Sequence, residues 1–189
     1  MARAFIGLGT NLGDGRQNLL DAWRRLAEQP GITTLALSSP YLTRPVPKAE
    51  WLAAGRVVGT QFFTNGVGFV ECQLSPTALL AVMQNIEAAM GRDRKATVDR
   101  PMDLDLLYYG ELLQDEEKLI LPHPEIQNRR FVLAPLAEVA PEQLHPRLRL
   151  TSRQMLAALP GDVEEGIQRL SWPTSEPVAA SQFDQSHTP

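Results

Sequence analysis

The segment MDLDLLYYG, residues 102–110, constrains the fold most tightly. Apolar and acidic residues alternate from Met102 to Leu106, which is the period of a β-strand with successive side chains on opposite faces. Met102, Leu104 and Leu106 then share one face, and Asp103, Asp105 and Leu107 share the other. A strand covered on both sides reads as a continuous apolar run, so this one belongs to an antiparallel sheet with an open face or a sheet that borders a site. Two carboxylates one strand repeat apart raise each other's pKa unless something offsets their charge. A divalent cation does so, and magnesium favours a few carboxylates together with phosphate oxygens. Plain solvent on one face is the other reading, and three residues alone leave both open.

The surrounding pattern supplies the rest of the fold. Residues 2–9 read as a first strand, and 16–31 as a helix with Leu19, Ala22, Trp23, Leu26 and Ala27 at helical spacing, ended by Pro30 and Gly31. Residues 33–44 and 61–74 read as strands, separated by a long mixed connection of the kind that often carries function. Residues 75–91 are the clearest helix, with Ser75 suited to the N-cap, Pro76 to the first helical position and Gly91 to the stop. Two later helices are expected over 131–141 and 151–161. The order β-α-β-β-α-β followed by helix predicts an α+β protein, a ferredoxin-like α/β sandwich with a mainly antiparallel sheet flanked by helices. A chain of 189 residues suits one domain, expected over 1–171, with the polar segment 172–189 expected to be a disordered tail.

Composition excludes several function classes. A net charge of −4 gives no general attraction for nucleic acid or anionic membrane, so neither is expected as a partner. The single cysteine, Cys72, rules out an intrachain disulfide and a cysteine-rich zinc site, and is expected to be inert core. No apolar run has the length of a membrane span or a signal peptide, and a cytoplasmic protein is expected.

Positive charge is nonetheless concentrated just before the acidic strand, in Arg92, Arg94, Lys95 and Arg100. Carboxylates for a metal beside arginines for phosphate are the equipment of phosphoryl transfer. A solvated loop paired with Asp93 and Asp99 is the alternative. The segment LPHPEIQNRRF adds His123, Asn128, Arg129 and Phe131. There is no G-x-x-x-x-G-K-[ST] motif, and GLGTNLG is not the dinucleotide fingerprint.

Taken with FIGLGTNLGD, SSPYLTRPV, FFTNGV, MQNIEAAMGRDRK and LPHPEIQNRRFVLAPLAEVAP, in that order around RPMDLDLLYYG, these residues make the chain resemble the 6-hydroxymethyl-7,8-dihydropterin pyrophosphokinases of folate biosynthesis over roughly residues 4 to 145. The resemblance implies pyrophosphoryl transfer from ATP to the hydroxymethyl oxygen of the pterin, with AMP released. It implies that Asp103 and Asp105 bind a pair of magnesium ions and that Arg92 and Arg100 act on the migrating phosphates. Thr43, Val46, Phe63, Asn65 and Phe131 would form the pterin pocket, the two phenylalanines stacking on the ring. Gln84, Glu87, Lys95, Leu106, Lys118, His123 and Arg129 would surround ATP. The small-molecule substrates would be the partners, and a monomer is expected.

Two other functions fit the same element order. One is a non-enzymatic ferredoxin-like binding module, which the acidic charge and the lack of an RNA-binding aromatic motif disfavour. The other is a metal-dependent phosphoryl or nucleotidyl transferase with a different acceptor. Residues 92–100, nearly free of large apolar side chains and anchored at both ends, are expected to act as a lid.

Overall fold

The computed structural model describes residues 1–45, 61–92, 101–160 and 166–173. Val46, Lys95 and Arg100, most of the long connection, the expected lid from residue 93 onward and the segment after 173 lie outside the described residues.

The chain forms β1 (Ala2–Thr10), α1 (Gly15–Ala27), β2 (Ile32–Leu37), β3 (Tyr41–Thr43), β4 (Phe63–Cys72), α2 (Pro76–Ala89), β5 (Asp103–Tyr109), β6 (Gln114–Glu116), β7 (Leu119–Leu121), a 3-10 turn (Ile126–Asn128), α3 (Arg130–Val139), α4 (Ser152–Ala158) and β8 (Gln168–Arg169). The main sheet is antiparallel in every pairing, ordered β5-β1-β4-β3-β8, with β2 also on β4. Helices cover both faces, so the architecture is an α+β sandwich.

Helix ends follow the sequence signals. Asp14 caps α1 by accepting from Arg16 and Gln17 N–H, and Ser75 caps α2 by accepting from Ala78 N–H. Gly91 follows α2 with φ +90°, a conformation that favours glycine.

Residues 33–44 differ from the single strand expected. Ser38, Ser39 and Pro40 interrupt it, so that β2 pairs with one end of β4 and β3 with the other. Proline lacks the N–H a ladder needs. Ser38 spans the break: its N–H donates to Val67 O at 2.9 Å and its Oγ accepts from Val67 N–H at 3.0 Å.

The alternation of β5 sorts residues into two cores. Leu104 and Leu106, with Met102, Ala4, Ile6 and Leu8, pack under α1 and α2. Leu107 faces the other way with Phe5, Val67 and Tyr108 against Leu133, Leu136 and Met155 of α3 and α4. Near the end of the expected domain β8 pairs with β3, and Trp172 packs on the first core. An apolar indole gains from that contact.

His145 is buried against Tyr108, their rings 5.7 Å apart and edge to face. Its Nδ1 accepts from Arg147 and Leu148 N–H, so the ring is held neutral with its proton on Nε2. Burial first, and the Arg147 charge second, lower its pKa from the ordinary 6.5. The unfolded chain then takes up this proton before the folded one does. Stability should therefore be intact above about pH 6.5 and fall as pH drops from there through the lower folded value. Urea midpoints between pH 8 and 5 check this, and His145→Gln should flatten the slope.

Candidate active site

On the α3 side of the sheet, one end is left open by glycines. Gly9 of β1 lies opposite Asp103 of β5 on one side and Asn65 of β4 on the other, and Gly7 lies opposite Asp105 and Val67. Tyr41 of β3 continues the Gly9 row, opposite Asn65. With no side chains at Gly7 and Gly9, a shallow floor joins the acidic strand to Asn65. A Cβ at Gly9 would come within 3.1 Å of Asn65 Oδ1. The glycines of GLGTNLG thus have a spatial role: two of them alternate on one face of β1, a period-2 signal readable in the sequence.

Asn65 and Thr43 are buried, and Asn65 Nδ2 donates to Thr43 Oγ1 at 2.8 Å. That bond orients the amide, leaving its oxygen toward Gly9. Phe63, half-buried, is the register partner of Thr43. Pairing of β3 with β4 therefore gathers Thr43, Phe63 and Asn65. If the pterin lies here, as the resemblance implies, Gly9→Ala should crowd Asn65 Oδ1 and weaken pterin binding by about tenfold, with stability lowered by about 1 kcal/mol. Titration calorimetry of the pterin together with a melting curve checks both parts.

At the β5 edge, Glu87 of α2 is only 1% exposed. Its carboxylate accepts from Leu104 N–H at 2.8 Å and forms an ion pair with Arg92, whose guanidinium also bonds the Asp103 carboxylate. The backbone assists: Arg92 N–H donates to Glu87 O at 3.0 Å. Read from sequence, Glu87 is a surface charge on a helix or, by resemblance, a nucleotide contact. The structure turns its carboxylate inward, where it supports Arg92. Burying an acid is costly unless it is hydrogen-bonded and paired, and Oε1 of Glu87 takes both the Leu104 N–H and the Arg92 guanidinium. Arg92 is thereby fixed beside Asp103.

Because β5 is the edge strand, both its faces border a cleft of about 270 Å³ lined by Leu104, Asp105, Leu106, Lys118, Ile120 and His123 among others. Four predicted residues, Asp105, Leu106, Lys118 and His123, thus meet in one place. His123 is anchored through its N–H to Leu107 O at 2.9 Å, and its Nδ1 accepts from Glu125 N–H at 3.2 Å. The neutral ring then carries its proton on Nε2, a donor suited to phosphate. Lys118 is exposed in the turn between β6 and β7. Arg129 lies with its guanidinium carbon 5.7 Å from the centre of the Phe131 ring and pairs with Glu125 at 3.8 Å. Phe131 occupies the first turn of α3, and Gln84 is exposed on α2. Among the described residues no group of three or more acidic, His or Cys side chains forms a ready metal cage.

Asp105, Lys118 and His123 line a cleft at the sheet edge, with the buttressed Arg92 beside Asp103 on the same strand; carboxylates next to cationic groups are the kind of equipment that phosphoryl transfer uses, here on an α+β sandwich. The model of the 7,8-dihydro-6-hydroxymethylpterin-pyrophosphokinase (HPPK) family matches residues 5–141, and the chain belongs to that family. It is 38% identical over 143 residues to the 2-amino-4-hydroxy-6-hydroxymethyldihydropteridine pyrophosphokinase of Methylorubrum extorquens, covering 75% of this chain and 85% of the relative. It is 37% identical over 172 residues to the enzyme of the same name from Pseudomonas aeruginosa, covering 89% and 96%. Among solved structures it is similar in fold to wild-type HPPK-DHPS of Plasmodium falciparum, with a TM-score of 0.61 at 16% identity. That match covers 82% of this chain and 44% of the other, so this chain spans less than half the length of that solved protein.

Proposed function

We infer that the protein transfers the terminal pyrophosphoryl group of ATP to the hydroxymethyl oxygen of 6-hydroxymethyl-7,8-dihydropterin. The observation that carries this reading is the single register row Asn65–Gly9–Asp103, which joins a buried amide and hydroxyl on one side to the acid pair on the other across a floor without side chains. Family membership and the names of the relatives support the same reaction.

In this reading the pterin lies on the glycine floor. Asn65 offers a donor and an acceptor to its edge, and Phe63 and Phe131 stack on its ring, with Val46 completing the pocket. ATP takes the cleft, where Leu106 supplies apolar contact and Lys118, His123, Arg129 and Lys95 face the phosphates. Gln84 borders the nucleotide, and Glu87 acts through Arg92. The pterin oxygen attacks the β-phosphorus, the bond from that phosphorus to the α-β bridging oxygen breaks, AMP leaves, and the hydroxyl proton departs. Arg92 and Arg100 hold charge as it redistributes, a role suited to the fixed fork of guanidinium.

Asp103 and Asp105 would hold two magnesium ions. The donor set fits: both are hard oxygen ligands, and two carboxylates leave positions for phosphate oxygens. When bound, the ions would neutralise the triphosphate and polarise the transferring group. Among the described residues no helix is long and apolar enough to cross a membrane. A cytoplasmic monomer completes the reading.

AMP formation from ATP and magnesium, measured with and without 6-hydroxymethyl-7,8-dihydropterin, tests it. AMP release that requires the pterin is expected. Release without pterin would favour another acceptor, and no release would favour a binding module.

A further inference from the structure

Glu138 of α3 lies away from the acid pair, yet its carboxylate is saturated with hydrogen bonds. Oε1 accepts from Ser39 N–H at 2.9 Å, from Ser39 Oγ at 2.8 Å and from Arg169 Nη2 at 3.0 Å. Oε2 accepts from Tyr41 OH at 2.7 Å. Arg169 Nε also donates to Ser39 Oγ at 3.0 Å. These groups come from the break before β3, from β3 itself, from β8 and from α3. Burial alone would disfavour the charge, but the bonds from Ser39 and Tyr41 and the Arg169 guanidinium outweigh it and hold the carboxyl below its ordinary pKa.

The position of this clasp gives it a consequence. β3 has three residues, and a strand that short is weakly held by its ladder alone. Tyr41 is the register partner of both Arg169 and Asn65, while Asn65 lies opposite Gly9 and Gly9 opposite Asp103. One row of the sheet therefore runs from the clasp to the acid pair. Thr43, two residues beyond Tyr41 on the same face, accepts the hydrogen bond that orients Asn65. If β3 shifts, Thr43 shifts with it and the Asn65 amide loses its setting.

We propose that Glu138 is a positioning residue for the acceptor substrate: by fastening β3 through Ser39 and Tyr41, and docking β8 through Arg169, it sets the Thr43–Asn65 pair that reads the edge of the pterin. This rests on the pocket assignment made under Proposed function. The clasp does not reach the nucleotide cleft at the far edge of the sheet, so its loss should separate the two substrates. Neutralising Glu138 also leaves an amide nitrogen that cannot accept from either hydroxyl.

The test is steady-state kinetics on the full chain. Glu138→Gln should raise KM for the pterin about tenfold while KM for ATP and kcat stay within about twofold, the loss expected when several charge-assisted bonds weaken together. Tyr41→Phe, which deletes one hydroxyl and keeps the ring, should raise the pterin KM by a smaller factor. The double variant should be no worse than Glu138→Gln, because Tyr41 acts through Glu138. An unchanged pterin KM, an ATP KM that rises in step, or additive effects in the double variant would overturn the proposal. If Glu138→Gln fails to fold, the KM split of Tyr41→Phe decides alone. Wild-type protein that releases no AMP with the pterin would instead sink the pocket assignment, and this proposal with it.

Discussion

Asp105→Asn is expected to lower turnover on the order of a thousandfold while leaving the fold intact. Asp105 shares a strand face with Asp103 and borders the cleft that also receives Lys118 and His123. The substitution preserves shape and removes one negative charge, so packing along β5 is unaffected. On the proposed reading, what is lost is one of the two carboxylates that would hold the magnesium ions, and the offset of phosphate charge that such ions supply is worth several kcal/mol in the transition state. The melting temperature should stay within a few degrees of wild type. Single-turnover rates at saturating and limiting magnesium are the measurement. Turnover within tenfold of wild type at limiting magnesium would remove Asp105 from the metal site.

Glu87→Ala should be costly in a different way. It strips the partner from a largely buried Arg92 and leaves Leu104 N–H without its acceptor. Breaking a buried pair by deleting one member costs about 3–5 kcal/mol. The variant is therefore expected to lose much of its stability in urea. Glu87→Gln separates stability from chemistry, because its oxygen can still accept from Leu104 N–H while the charge that holds Arg92 is gone. It should retain more stability than Glu87→Ala yet lose at least about tenfold in turnover, since Arg92 then keeps only its Asp103 partner and loses the charge that fixes its position. Equal stability loss in both variants, with turnover of the glutamine variant unchanged, would show that Glu87 serves the fold alone.

Local chemistry made much of this protein readable from its sequence. The alternation Met102–Asp103–Leu104–Asp105–Leu106 depends only on strand geometry, and it assigned each side chain to the correct face before any neighbour was known. Ser75, Pro76 and Gly91 bound α2 because capping and positive φ are properties of single residues. The carboxylates and arginines were legible for the same reason: charge inside an apolar pattern calls for a partner.

Other features were decided only in three dimensions. That Glu87 is buried follows from the packing of α2 against the β5 edge, and a helical wheel cannot show it when the partner, Leu104 N–H, is a backbone group on a distant strand. That Gly9 stands between Asp103 and Asn65 depends on two strand registers, each set by long-range pairing. The Glu138 clasp joins residues up to 130 positions apart in the chain, an arrangement with no local signature. The docking of Trp172 on the first core likewise reflects which surfaces the folded sheet still had to cover, a contact settled by burial rather than by the segment's own preference.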